Sequence, residues 1–361
     1  MIMFVKQSLT GRLAMKRTVL VFMFVICFAG QVLVSAAGDE SNNRNQQQNK
    51  VKFRTPRIVG VSTISYIGGC INEKVIKTLE GYIDTAALDK PDIIVLTEGV
   101  VQNTQGSASQ DEKNNKSELI SEGGTITGFF SRKAKEHKIY IIASYWRKNE
   151  QGKGRYNSAV LFDREGRMAG AYDKVYPTIG ELERGILPGE SAKVFQTDFG
   201  KIGALICFDL NFRELMTELR NKEAELVCFL SNYRGGFVVR SLAFENQMFF
   251  ASSVPGENSV IVDPMGRVLA ESSAYGKIIF SKINLDSKVV HIDYNIERVA
   301  ALKKKYGDLV KIEVFSPEAV YFVSSLHPEK SIGDMIREFN IETYDEYRDR
   351  ARSERKKYLL K

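Results

Sequence analysis

Apolar runs of five to seven residues recur along the chain, and between them apolar positions return every three or four residues. The runs "DIIVL" (92–96), "IYIIASY" (139–145), "SAVLFD" (158–163), "IGALIC" (202–207), "LVCFL" (226–230), "MFFASSV" (248–254) and "SVIVD" (259–263) are rich in β-branched residues and nearly continuous. Such runs predict strands covered on one or both faces. "EKVIKTLEGYIDTAAL" (73–88) puts Val75, Ile76, Leu79, Tyr82 and Ile83 on one stripe, which predicts an amphipathic helix. "TITGFFSRKAKEHK" (125–138) and "FRELMTELRNKEA" (212–224) read likewise, and "VVRSLAFENQMFF" begins as a helix and runs into a strand. "DREGRMAG" (163–170) and "DPMGRVLA" (263–270) are turns between strands, each with a glycine at the tight point. The alternation predicts a single α/β domain over 52–286.

Two stretches break the pattern. "NTQGSASQDEKNNKSE" (103–118) is polar and reads as a surface loop. From Ser287 the alternation fades into charged segments, "IERVAALKKKYG" and "DEYRDRARSERKKYLL". They predict a helical extension over 287–361 that packs on the domain or on a partner subunit.

The N-terminus adds a compartment. Met15, Lys16 and Arg17 precede the apolar stretch Val19 to Val34, and small residues follow. The order is that of a signal peptide over 1–37, cleaved near Ala36 or Ala37, with a polar, disordered linker over 38–51. The expected destination is the periplasm or the extracellular medium, with no stable membrane insertion after cleavage. An uncleaved membrane anchor is the alternative, although the apolar stretch is somewhat short to span a bilayer. The formal charge is +7, and the leader contributes Lys6, Arg12, Lys16 and Arg17 with no acid, which leaves +3. So small a balance gives no case for a nucleic-acid partner.

Four cysteines are present, Cys27, Cys70, Cys207 and Cys228. Loss of the leader leaves three, an odd and sparse set that does not make a disulfide framework. The histidines are His137, His291 and His327, and no CxxC or HxxxH spacing occurs, so no metal site is expected. Cys207 is distinctive because it ends an apolar run and polar residues follow at once. A thiol at such a junction lies at a strand's carboxyl end, and the Asn211-x-x-Glu214 pattern predicts a capped helix just beyond it. Helix N–H groups there are expected to favour the thiolate, as suits a nucleophile. Cys228 sits inside its run and reads as core. No histidine is placed to serve as a base, but Glu98 is the first charge after "DIIVL", again at a strand's carboxyl end, where ligands gather. Lys174 follows another strand and a turn, and a buried ammonium there suits a developing oxyanion.

Glu98, Lys174 and Cys207, in that order on strand-end loops, resemble the nitrilase superfamily of carbon–nitrogen hydrolases. "PDIIVLTEG" resembles its glutamate motif, "YNSAVLFDREGRMAGAYDKVYPTIGE" its lysine motif and "LPGESAKVFQTDFGKIGALICFDLNFRE" its cysteine motif. "RSLAFENQMFF" and "GENSVIVDPMGRVLAE" resemble the segments that close the fold, so the similarity runs from about Val51 to Leu285. The resemblance implies a four-layer α-β-β-α sandwich, pairing of subunits into a homodimer or higher oligomer through helices flanking the site, and no metal or organic cofactor. It also implies a second glutamate near the lysine, for which Glu181 is favoured and Glu183 competes.

The chemistry so implied is hydrolysis of a small amide. Glu98 deprotonates Cys207, the thiolate attacks the carbonyl carbon, and Lys174 with the backbone N–H of Phe208 holds the oxyanion. Cys207-Phe208-Asp209 is closer to the Cys-Tyr-Asp of the superfamily's amidases and carbamoyl hydrolases than to the Cys-Trp-Glu of its nitrilases. The Pro-Thr-x-x-Glu run ending at Glu181 points instead toward nitrilases, and Arg213 replaces a proline common in relatives. Asn232 and Tyr233, after the next strand, are candidates to contact substrate. Asn157, Glu214, Arg240, Glu245 and Asn246 read as scaffold. Nitrile hydrolysis or N-acyl transfer by the same triad, and a non-catalytic exported binding protein on this fold, are the competing readings.

Overall fold

The computed structural model describes residues 55–68, 72–101, 124–148 and 154–359. The signal peptide, the linker, the whole 103–118 loop, Cys27 and Cys70 lie outside these residues. In chain order the first elements are β1 (Ile58–Ile64), α1 (Glu73–Ala87), β2 (Ile93–Leu96), α2 (Thr125–His137), β3 (Tyr140–Lys148), β4 (Arg155–Phe162) and β5 (Met168–Asp173). The short α3 (Ile179–Glu183) leads to β6 (Val194–Gln196) and β7 (Lys201–Ile206), and α4 (Arg213–Asn221), β8 (Leu226–Leu230) and α5 (Phe237–Asn246) follow. β9 (Phe249–Ser253), β10 (Val260–Val262), β11 (Val268–Glu271) and β12 (Ile278–Asn284) complete two six-stranded sheets.

Their strand orders are β12-β1-β2-β3-β4-β5 and β11-β10-β9-β8-β7-β6. The central pairs β1/β2, β2/β3, β7/β8 and β8/β9 are parallel, and the outer ones antiparallel. One buried cluster joins the two sheets, with Val61, Val95, Ile142 and Leu161 from the first and Ala204, Ile206, Cys228 and Ala251 from the second. Alternate residues of the first sheet, such as Ile94, Leu96 and Ile141, pack instead on Leu79, Ile83, Phe129 and Phe130 of α1 and α2. Leu205, Val227 and Phe250 of the second sheet pack on Leu215, Leu219, Val239 and Leu242 of α4 and α5. The four layers are therefore α-β-β-α. Coverage of both sheet faces explains why the strand runs are continuous rather than alternating. Edge strands β5, β6, β11 and β12 are missing from the apolar runs; all four are partly exposed, and β5 and β11 expose Met168, Val268 and Leu269.

The two look-alike turns share one device. Asp163 Oδ1 accepts the N–H groups of Glu165 and Arg167, and Asp263 Oδ1 accepts those of Met265 and Arg267.

The extension departs from the helical expectation. It contains β13 (Ser287–His291), α6 (Ile296–Tyr306), β14 (Val310–Phe315), β15 (Val320–Ser325), α7 (Ile332–Glu338) and α8 (Tyr344–Leu359). The strands form an antiparallel sheet in the order β13-β15-β14. Strand alternation is the reason: Val289, Val320 and Phe322 join the core between the large sheets, while Val290, Tyr321 and Val323 pack on Leu302, Met335 and Ile336 of α6 and α7. Phe322 meets Phe249, the first residue of β9, at 6.4 Å between ring centroids. The small sheet thus abuts the end where the parallel strands begin. No helix among the described residues is long and apolar enough to cross a membrane.

Candidate active site

At the opposite end, the carboxyl ends of β2, β5, β7 and β8 deliver Glu98, Lys174, Cys207 and Asn232. Lys174 is 1% exposed, and its ammonium donates to Glu98 Oε1 at 3.0 Å and to Glu181 Oε2 at 2.8 Å. Burial by itself lowers a lysine pKa, but the neighbouring acidic groups, Glu98 first and then Cys207 and Glu181, raise it. The lysine therefore stays charged where an oxyanion needs it. Glu181 is also half-buried. Burial opposes its ionisation, and the Lys174 charge and the Thr178 donors outweigh burial and lower its pKa.

Local chemistry sets each of these positions. Gly99, with φ +58°, turns the chain immediately after Glu98, a backbone that favours glycine. Glu98 Oε2 accepts both the backbone N–H and the side-chain amide of Asn232, each at 3.0 Å. Gly189 approaches so closely that a Cβ there would lie 2.2 Å from the Asp173 carbonyl oxygen. Its N–H donates to the Lys174 carbonyl at 2.8 Å. Glu181 is the third residue of a capping box: its Oε2 accepts the Thr178 N–H at 2.8 Å, and its own N–H donates to Thr178 Oγ1 at 3.3 Å. That box aims Glu181 at Lys174 and leaves Glu183 exposed. The Thr-x-x-Glu spacing at 178–181 is the sequence signal that separates the two glutamates.

Cys207 follows β7 with φ +49°, a left-handed backbone that only a supported turn retains. The support is Asp209. Its Oδ2 accepts the Ile206 N–H at 2.9 Å and the Tyr172 hydroxyl at 2.8 Å, and its Oδ1 accepts the Tyr176 N–H at 2.8 Å. Tyr176 also stacks on Phe212 at 3.5 Å, so the lysine loop and the cysteine turn are joined twice. Phe208 is the second residue of the 3₁₀ turn Cys207–Asn211, where the first N–H groups lack partners within the helix. Its ring packs edge-on against Phe212.

Two expectations for this junction fail. Asn211 does not cap α4, because it belongs to the 3₁₀ turn and its amide donates to the Phe208 carbonyl at 3.0 Å. The N-cap is Phe212, with no side-chain acceptor, and Glu214 binds the Tyr176 hydroxyl instead. Arg213 occupies the first helical position, where proline is also well tolerated, so its presence leaves the turn intact. Nor is the Cys207 thiolate favoured at rest. Burial first, and then the Glu98 charge, push the thiol up to about 11, although Lys174, the Asn232 N–H and the Ser231 hydroxyl act in the other direction. Cys228 is fully buried between the sheets, and burial pushes its thiol well up.

Tyr233 is partly exposed, its ionisation is opposed by burial and then by Cys207, and its ring packs edge-on against Phe229. Asn232 holds Glu98, and its Oδ1 is buried without a hydrogen-bond partner. Asn157, read as scaffold, reaches both glutamates. Asp209 and Ser231 are the site residues that sequence reasoning missed. Asp209 carried a signal, as a lone acid two residues past the cysteine. Among the described residues, one carboxylate–histidine cluster has metal-like spacing, Asp84, Glu136 and His137 on α1 and α2, and the Lys133 ammonium already pairs with its acids.

The arrangement gathers a thiol, two carboxylates and an ammonium, the groups that deprotonating a thiol, holding a negative oxygen and protonating a leaving group require. Residues 66–288 match the family described as carbon-nitrogen hydrolase. The omega-amidase NIT2 of Homo sapiens is 27% identical over 223 residues, which cover 54% of this chain and 78% of that protein. The omega-amidase NIT3 of Saccharomyces cerevisiae is 27% identical over 239 residues, 58% of this chain and 80% of that one. The crystal structure of the Saccharomyces cerevisiae Nit3 superposes with a TM-score of 0.57 at 21% identity, covering 71% of this chain and 96% of that chain. An amidase from Nesterenkonia sp. gives 0.53 at 18% identity, covering 69% and 96%. With the matched span embracing every residue from Glu98 to Tyr233, the chain belongs to the carbon–nitrogen hydrolase family.

Proposed function

We propose that this carbon–nitrogen hydrolase cleaves a small carboxamide through a thioester on Cys207. The observation that carries the reading is a buried ammonium gripped by two carboxylates next to a thiol that is neutral at rest. Glu98 takes the thiol proton as sulfur attacks the carbonyl carbon, so no stable thiolate accumulates. The oxyanion forms against Lys174 Nζ and the Phe208 N–H. Glu98 returns its proton to the leaving nitrogen, the C–N bond breaks, and ammonia or an amine departs. Water then attacks the thioester and gives a proton to Glu98, the C–S bond breaks, and Glu98 returns that proton to the departing sulfur, leaving a carboxylic acid and the free thiol. Glu181 keeps Lys174 oriented, Asn232 keeps Glu98 oriented, and Tyr233 flanks the acyl group. The amidase relatives support an amide as substrate.

The test is ammonia release from a panel of primary amides, with Cys207→Ala as the blank. Turnover by the wild type alone, with a cysteine-bound acyl adduct in the mass spectrum of quenched enzyme, is expected. Equal release by both proteins would remove the proposal. The basic–apolar–small order of residues 15–37 supports export, and Edman sequencing of protein from the culture medium or periplasm is expected to begin just after Ala36 or Ala37. Pairing through α4 and α5 is proposed as well, to be read by sedimentation as a mass of two chains.

A further inference from the structure

Asn157 lies in β4 and is 1% exposed, and the mechanism above assigns it nothing. Its Nδ2 donates to Glu98 Oε1 at 2.8 Å and to Glu181 Oε1 at 3.3 Å. Its Oδ1 accepts the Ser144 hydroxyl at 2.9 Å. That contact fixes the amide orientation, because the reverse would press a carbonyl oxygen on two carboxylates. Its backbone carbonyl accepts the Lys174 N–H at 2.8 Å. One residue thus touches three groups of the site.

A lysine ammonium is a rotatable point charge, and it attracts two carboxylates without setting the plane of either. A planar amide with two N–H bonds at a fixed angle does set them. We propose that Asn157, oriented by Ser144, is a positioning residue that spans Glu98 and Glu181 and holds both carboxylates on the Lys174 ammonium. Serine is too short to bridge the two glutamates, and aspartate would add a third carboxylate. A donor to Glu181 also favours its ionised form, in the same direction as the Lys174 charge. The kinetic part of this proposal rests on the amidase reading, and the titration part does not.

The titration follows the carboxyl carbons of ¹³C-labelled glutamates by NMR, with Glu98→Gln and Glu181→Gln assigning the two signals. The charged or titratable groups facing the pair are Lys174 and Cys207, with Asp209 and Tyr233 beyond them. In Asn157→Ala the apparent midpoint of the coupled pair is expected to rise by about one pH unit. The kcat for a primary amide is expected to fall about a hundredfold, with KM held within about threefold. The acid limb of kcat/KM should move up with the midpoint. Ser144→Ala should give a smaller shift of the same sign. An unmoved midpoint in folded Asn157→Ala overturns the proposal, as does a kcat loss that only follows the folded fraction. If that variant does not fold, Ser144→Ala decides, and no shift there overturns it equally. If the wild type turns over no amide, the amidase reading fails while the NMR titration still judges Asn157.

Discussion

Cys207 sits in tension between a buried setting that disfavours its charge and a neighbouring lysine that favours it. The first effect wins, and the thiol rises to about 11. Alkylation by iodoacetamide should therefore accelerate close to tenfold per pH unit from about pH 7 to 10, since reactivity follows the thiolate fraction. Glu98→Gln deletes the charge that pushes the thiol up. That variant should alkylate faster than wild type at pH 8 yet hydrolyse amides 10²–10⁴-fold more slowly, roughly the span of a lost general base. Parallel slowing of both reactions would remove Glu98 from the base role. Cys228 should stay unlabelled in native protein. Lys174→Met leaves Glu98 and Glu181 buried without a counter-charge, and a loss of about 3–5 kcal/mol is expected in urea denaturation. The ion pair also makes stability depend on pH. Glu181 is depressed, so its contribution is present above its ordinary value near 4.5 and is lost as pH falls through the folded value. Lys174 is raised, so its contribution holds below its ordinary 10.5 and is lost at higher pH.

Between elements, the decisive contact is the knot that Asp209 ties from the end of β7 to the loop after β5. One carboxylate receives two backbone N–H groups and a tyrosine hydroxyl, and so sets the separation of Cys207 from Lys174. Burial pushes Asp209 up to about 6, against the pull of those donors. An acid raised in the folded state costs stability as pH climbs from about 4 to 6, the opposite trend to Glu181. Asp209→Asn keeps the shape but replaces one acceptor oxygen by a donor facing another donor. The expected outcome is a loss of about 1–3 kcal/mol with a larger fall in kcat than in KM. Unchanged kcat would mean that the turn is held by its other contacts.

Across the whole molecule, site and extension lie at opposite ends of the sandwich. Phe322 is buried against Phe249 and extends the inter-sheet core into the small C-terminal sheet. Phe322→Ala should cost about 3–5 kcal/mol in a single cooperative transition followed by tryptophan fluorescence and circular dichroism, with kcat unaltered. Two separate transitions would show instead that residues 287–359 fold as an independent unit.

The sandwich and its site were legible to different degrees. Continuous β-branched runs announced the central strands because both faces of each sheet are covered, and the motifs around Glu98, Lys174 and Cys207 carried the family. In the extension β13 and β14 hid because they are half-exposed and interleaved with charge, whereas β15 carries a buried apolar run, "VYFV", that is missing from the predicted strands. Sequence by itself determined which residues stand at strand ends, since that follows from local apolar pattern and turn chemistry. Only the tertiary structure decided the charge state of the thiol, the ion pair between Glu181 and Lys174, and the reach of Asn157. Each of these depends on burial and on distances between residues far apart in the chain, which no local pattern encodes.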